Sequence, residues 1–325
     1  MARPVHLVCA TDDGYAMPTA VMVASAVDRS SAPLVVHVLD GGLSSAAAAR
    51  LRRALDRTTA EADARVVWHE PDPGGLDGLS GAGHITATAY LRLLAPDLLA
   101  VTDPDARRAV WIDGDAVVTG DLAQVARVDL QGDPVGAVRN GAATFARMVR
   151  EPSRRTGRPI DPDAPYFNSG VLVMDLAAWR AERIGTAVLD DLHSNGPLYR
   201  FVDQCGLNAV LAGRWASLDD RWNVQVGHSL TQRAPPAVAD VRILHFTGRG
   251  KPWLPVYPTG GRTIGAYRAT WLRAARASGW FLRNDWARFR AGLAAERARN
   301  RAARVLGRAR SSTLGRLVRR APSAP

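Results

Sequence analysis

The sequence predicts an α/β fold, a mostly parallel central sheet covered by crossover helices, with a basic helical tail appended. Three observations predict it. Short β-branched runs alternate with helical patterns through the first third of the chain, the arrangement that gives parallel strands joined by crossovers. With 325 residues and 47% hydrophobic content, the chain can bury one sizeable core with appendages, or two small ones, without staples. Positive charge is confined to the C-terminal end: twelve arginines between Arg283 and Pro325 face only Asp285 and Glu296, a net of +10 out of the chain's +11. The body before them is nearly neutral.

In chain order, Val5–Ala10 reads as a buried first strand, Pro18–Arg29 as a helix and Leu34–Asp40 as a second strand. Ser44–Thr59 is an Ala/Arg/Leu helix opened by a serine cap, and Arg65–His69 is a third strand. A Gly/Asp/Pro-rich loop, Pro71–Gly83, leads to a helical pattern over Thr86–Leu99 and a fourth strand, Ala109–Ile112, that runs straight into Asp113. The polar stretch Arg147–Pro165 reads as a loop or lid. Gly170–Asp175 is strand-like, Ala177–His193 and Asp203–Leu211 are helical, and Arg242–Phe246 is one more apolar strand. From Trp286 to Val318, Ala, Leu and Arg repeat without proline, a helical composition. No internal repeat interrupts this order.

Composition excludes several classes. Cys9 and Cys205 lie far apart and form no CxxC pair, against a disulfide framework or a zinc site, and a reducing cytosol is the expected compartment. No basic start precedes a long apolar run, and no window reaches about 18 uninterrupted apolar residues, so neither secretion nor a membrane span is expected. A dehydrogenase is disfavoured because no GxGxxG follows the first strand.

Three pieces carry chemistry. Asp113-Gly114-Asp115 sets two carboxylates at the C-terminal end of a strand, the edge where open α/β sheets bind ligands. Such oxygens suit Mg²⁺ or Mn²⁺ bridging to a diphosphate; two turn-forming aspartates are the plain alternative. His245 ends the last strand and is followed by Thr247, Gly248, Gly250 and Lys251. An imidazole can join two carboxylates around Mn²⁺, and glycines let backbone amides approach phosphate. Lys251 is the one lysine beside 41 arginines, a compact point charge that an arginine fork does not automatically replace. At the end of the first strand, Thr11-Asp12-Asp13-Gly14-Tyr15 offers acceptors for a base edge or ribose hydroxyls, or an ordinary Asp-Gly turn.

In this order and spacing, CATDDGYAMP, TATAYLRL, WIDGDAVVTGDL, YFNSGVLVMDLAAWR, VDQCGLNAVL and HFTGRGKPW resemble glycosyltransferase family 8, from Val5 to about Trp253. That family includes bacterial lipopolysaccharide galactosyl- and glucosyltransferases and is akin to glycogenin. The resemblance implies a GT-A-like fold for residues 1–282 and a retaining transfer of glucose or galactose from a UDP-hexose, with Mn²⁺ (or Mg²⁺) assisting. It implies that Asp113, Asp115 and His245 bind the metal, that Ala10 and Asp12 hold the uridine, and that Gly248 and Lys251 hold the diphosphate. Arg92 would meet the diphosphate and donor sugar, and Asn168, Asp203 and Gln204 would line the sugar, with Gln204 on the face of a double-displacement nucleophile. Glutamine is a poor nucleophile, so a front-face route is equally open. The pattern is broken at Gly14, where relatives carry a nucleoside-binding asparagine, at Asn140, where they carry a sugar-binding aspartate, and at Cys205, where an acidic residue is common.

Two rival functions start from the same residues. A nucleotidyltransferase would use the paired aspartates with an NTP and release pyrophosphate, but leaves Tyr166-Phe167-Asn168 and His245 unexplained. A nucleic-acid-binding protein working through the tail is disfavoured by the neutral body and by a tail with only Trp286 and Phe289 as aromatics, so no nucleic acid is expected. Residues 283–325, the Arg-rich tail, can be a solvated appendage or can attach a cytoplasmic enzyme to the inner face of an anionic membrane, near a lipid-linked or cell-envelope saccharide acceptor. Each basic residue at such a surface contributes about 1 kcal/mol, and Leu293, Val305, Leu306, Leu314, Leu317 and Val318 would add an apolar stripe. Full-length protein should therefore co-sediment with anionic vesicles at low salt, and a truncation ending near Leu282 should not. Full-length protein left in the supernatant rejects the membrane reading.

Overall fold

The computed structural model describes residues 3–76, 78–79, 87–227, 236–255, 257, 261–282 and 284–299. A seven-stranded sheet runs in the order β3-β2-β1-β4-β7-β6-β8. Its strands are β1 (Val5–Thr11), β2 (Leu34–Asp40), β3 (Ala64–His69), β4 (Arg108–Ile112), β6 (Val135–Thr144), β7 (Pro165–Asp175) and the short β8 (Ala216–Ser217). Every neighbouring pair is parallel except those that β7 makes with β4 and β6. A second sheet sets β10 (Ile243–His245) between β5 (Ala116–Val118), antiparallel, and β9 (Val224–Gln225), parallel.

Helices cover both faces, which is why β1, β2 and β4 read as nearly continuous apolar runs. On one face α1 (Ala16–Arg29) and α2 (Ser45–Thr59) bring Met22, Val23, Leu51 and Leu55 onto Leu7, Val36 and Val110. Ser44 caps α2 by accepting from the Ala47 amide at 3.3 Å. On the other face lie α3 (Ala95–Thr102), α6 (Leu176–Ala181), α7 (Ile184–Asn195) and α8 (Val202–Val210), which pack Leu99, Trp179, Val188 and Leu207 over Val8, Trp111 and Leu172. The short α4 (Leu122–Ala126) and α5 (Phe145–Met148) complete the connections. A third cluster sits under α9 (Gly261–Ala277), where Tyr267 and Trp271 meet Val117, Leu244 and Phe246 of the second sheet.

Several expectations are adjusted. Over the described part of Thr86–Leu99 there is no single helix. A 3₁₀ turn, Ala87–Leu93, precedes α3, which restarts at Ala95 with Pro96 in its first turn; Thr86 lies outside the described residues. The polar stretch expected as a loop over Arg147–Pro165 contains the end of α5 and a 3₁₀ turn at Pro152–Arg154. Ala177–His193 divides at Arg183, left-handed at φ 51°, into α6 and α7. Strand β6 and helix α9 were not anticipated.

Beyond Leu282, residues 284–299 form a helix, α10. Its Trp286 and Phe289 stack with Phe281, ring centroids 5.3 and 4.9 Å away, against the cluster under α9. Leu293 is buried, so it is not free to join an apolar stripe, and a truncation that spares this packing ends after Arg299. The other expected stripe residues, Val305, Leu306, Leu314, Leu317 and Val318, lie outside the described residues. Among the described residues no helix is long and apolar enough to cross a membrane.

Candidate functional site

The site forms where β1, β4 and β10 end and β7 passes beneath them. Asp113 leaves β4 with its amide bonded to the Gly170 carbonyl at 2.9 Å. Its Oδ1 accepts from Trp111 Nε1 at 2.7 Å and Arg92 Nη2 at 3.0 Å. Oδ2 faces His245 Nε2 at 3.7 Å, and Asp115 Oδ1 lies 3.2 Å from the same nitrogen. Two carboxylates and an imidazole thus converge, their ligand atoms within 4.8 Å of one another.

An amide chain orients this group. Asn223 Oδ1 accepts from His245 Nδ1 at 2.9 Å, which leaves Nε2 for the carboxylate side. Asn223 Nδ2 donates to Asn168 Oδ1 at 2.8 Å, Asn168 Nδ2 donates to Gln204 Oε1 at 3.0 Å, and Gln204 Nε2 donates to the Tyr166 hydroxyl at 3.2 Å. Tyr166 meets Cys205 Sγ at 3.0 Å. Each amide has one consistent orientation, because each has one neighbour that can only donate or only accept at the contact.

Charges are buried and compensated. Burial pushes the Asp115 carboxyl up, but Lys251 and His245 outweigh it and hold it well below the usual carboxylate range. Burial pulls the Lys251 ammonium down, and Asp115 with Tyr15 more than restores it. Lys251 Nζ grips Asp115 Oδ2, donates to the Phe246 carbonyl at 2.7 Å, and lies 5.8 Å from the Tyr15 ring centre. Arg92 Nε reaches Asp203 Oδ2 at 2.9 Å. Burial nonetheless pushes Asp203 up to about 6, Arg92 opposing and Asp113 adding to the shift.

All eleven residues singled out in the sequence line one cavity of about 430 Å³. Asp12 is engaged locally, accepting from the Tyr15 amide at 3.1 Å and the Thr88 hydroxyl at 3.0 Å. Asn140 also lines the cavity, whereas Cys205 stands behind Gln204 against Tyr166. Sequence reasoning missed Trp111, Ser169, Gln225 and Asn223. Asn223 had no local signal, its partners being 22 and 55 residues away.

The family described as "Glycosyl transferase family 8" matches residues 6–256. The chain belongs to that family. This glycosyltransferase is similar to General stress protein A of Bacillus subtilis (strain 168), 28% identical over 263 residues that cover 77% of this chain and 87% of that protein. It is also similar to the lipopolysaccharide 1,2-glucosyltransferase of Escherichia coli (strain K12), 28% identical over 181 residues, where it spans about half of that relative (51%) and 52% of itself is matched. In fold it is similar to the galactosyltransferase LgtC, solved with donor and acceptor sugar analogues, at TM-score 0.66 and 22% identity, covering 88% of this chain and 100% of that one. The bifunctional glycosyltransferase WbbM matches at TM-score 0.63 and 21% identity, over 85% of this chain and 50% of that one. The GT-A-like α/β fold expected from the sequence is the fold observed.

Gly170 makes the close approach possible. A Cβ there would overlap His245 Cε1 and lie 2.6 Å from its Nδ1 and 2.9 Å from Asp113 Oδ2. Gly170→Ala should fold, because the strand geometry tolerates alanine, yet push the imidazole off Asn223 and abolish most glycosyltransferase activity. A Gly170→Ala protein with wild-type donor turnover would show that the imidazole position does not matter.

Proposed function

We propose that this family 8 enzyme transfers a hexose, glucose or galactose, from a UDP-linked donor to a cell-envelope saccharide or lipid-linked acceptor, with retention of configuration. The observation that carries the reading is the convergence of Asp113, Asp115 and His245 on the same cavity that all the expected donor-binding residues line. The residues fit a divalent ion. Two carboxylates and one imidazole make a hard oxygen-rich set with one nitrogen, suited to Mn²⁺ or Mg²⁺. Without a cation or a proton, His245 Nε2 would turn a lone pair toward two carboxylates, and Asp115 already draws in the only side-chain ammonium of the protein.

Asp113, Asp115 and His245 would hold the ion, which when bound supplies a Lewis acid for the departing diphosphate. Ala10 and Asp12 at the end of β1 would seat the uridine. Gly248, at φ 75°, exposes its backbone to the diphosphate, and Lys251 would turn from Asp115 to the phosphate charge. Asp203, fixed by Arg92, would grip sugar hydroxyls. Gln204 is anchored through both ends of its amide, which suits it to orient the sugar while the leaving phosphate accepts the acceptor's proton. The segment from residue 300 onward carries seven arginines and no carboxylate and would hold the enzyme at an anionic membrane surface near such an acceptor.

The deciding experiment is donor hydrolysis with Mn²⁺ across UDP-glucose, UDP-galactose, UDP-GlcNAc and GDP-mannose. Turnover should appear with a UDP-hexose and vanish in EDTA, and Asp115→Asn should fold yet lose orders of magnitude in rate. Full activity in EDTA rejects the metal reading, and pyrophosphate release from an NTP would favour a nucleotidyltransferase.

The pH profile tests Asp203. Its ionised form balances Arg92 and accepts hydroxyl hydrogen bonds at both oxygens, so turnover should fall as pH drops through about 6. The stability contribution has the opposite sign: a carboxyl raised above its unfolded value stabilises the fold at low pH and loses that contribution as pH rises through about 6. Asp203→Asn should remove the acid limb at a lower overall rate, and a wild-type profile flat through that range would exclude the role.

A further inference from the structure

A second cluster of metal-ligating side chains lies on the same sheet, outside the cavity described above. His6 of β1, His37 of β2 and His69 of β3 climb diagonally across three parallel strands on the face that carries α3. All three are buried. His6 Nδ1 lies 3.0 Å from His37 Nε2, and His37 Nδ1 lies 3.0 Å from His69 Nε2. Asp103, which ends α3, brings its Oδ2 to 3.8 Å from His37 Nε2. That oxygen is buried and has no hydrogen-bond partner, while Oδ1 is taken by Arg65.

We propose that His6 Nδ1, His37 Nε2 and Asp103 Oδ2 form a site for Zn²⁺ or a similar late first-row divalent ion, separate from the Asp113/Asp115/His245 group. The ligand atoms lie within 4.8 Å of one another. With metal–nitrogen bonds of about 2.0–2.1 Å, neighbouring ligands of a tetrahedral ion stand roughly 3.3 Å apart, and the separations of 3.0 and 3.8 Å bracket that value. Two imidazoles and one carboxylate leave a fourth position for water and favour zinc over Mg²⁺ or Ca²⁺.

The third histidine completes the arrangement. If His37 binds through Nε2, its proton resides on Nδ1, which then donates to His69 Nε2, while the proton of His6 moves to its Nε2. No proton is lost from the pair; only the tautomers change. His69 thus orients His37 as an outer partner, and Arg65 does the same for Asp103. The buried Asp103 oxygen gains a partner that neither histidine proton reaches.

The test uses the full chain in an Asp115→Asn background, which leaves the first group with one carboxylate and the imidazole. After chelator treatment and dialysis against micromolar Zn²⁺, this protein should retain one zinc per chain, and Co²⁺ should give the visible absorption of tetrahedral coordination. Adding His6→Gln, or separately Asp103→Asn, should abolish both signals with the far-ultraviolet dichroism unchanged. His69→Gln should keep the stoichiometry while weakening affinity about ten- to a hundredfold, the usual loss for an outer-shell partner. In the otherwise wild-type chain, His6→Gln should leave Mn²⁺-supported donor hydrolysis unaltered. Failure of the background protein to bind zinc, or equal zinc retention by the folded His6→Gln and Asp103→Asn proteins, overturns the proposal and leaves a histidine hydrogen-bond ladder.

Discussion

Arg92 is the hub on which the site depends. The residue is only 3% exposed, so its charge has to be met inside the protein or its burial would cost several kcal/mol. Asp113 and Asp203 meet it, the Ala89 carbonyl shares the Nε–H that faces Asp203, the Ser169 carbonyl takes an Nη1–H, and the Trp111 ring lies 4.9 Å beneath. These partners come from a 3₁₀ turn, β4, β7 and α8. One buried cation therefore fixes, relative to one another, four elements that are distant in sequence, and it sets the rotamers of Asp113 and Asp203 together.

The amide chain from His245 to Cys205 complements this hub. Arg92 works by charge, whereas Asn223, Asn168, Gln204 and Tyr166 work by direction, each donating onward to the next. A chain with one donor order leaves no freedom to flip an amide without leaving a buried polar atom unpaired. Both devices converge on β7, the one strand of the large sheet that runs against its neighbours. Asn168, Ser169 and Gly170 on that strand supply an amide link, a carbonyl for Arg92 and the gap that admits the imidazole.

The first half of the fold was legible because its strands are apolar runs separated by helices, and β1, β2, β3 and α2 fall within a residue or two of the sequence reading. Strand β6 was not legible: VGAVRNGAAT has two glycines and few β-branched residues, and only pairing with β7 and β8 makes it a strand. Helix α9 was readable in principle, since Ile264, Tyr267, Trp271 and Ala275 follow helical spacing and are all buried. The ordered motifs at strand ends pointed to residues that the fold gathers around one cavity. Asn223 escaped because it lies in no motif, and Trp111, although it opens WIDGDAVVTGDL, because its partner there is only two residues away and an apolar strand explains a tryptophan without it.

Lys251 gives the protein an unusual chemical address. It is the only lysine, and in this arrangement its amine is locked as an ammonium against Asp115. An ammonium is not a nucleophile, so amine-directed reagents meet an unreactive side chain for as long as the carboxylate has no other cation to hold. Burial alone pulls the ammonium's pKa down and Asp115 holds it up, so if Asp115 were engaged elsewhere the amine would lose its proton more readily, and acylation of this one side chain would record that change.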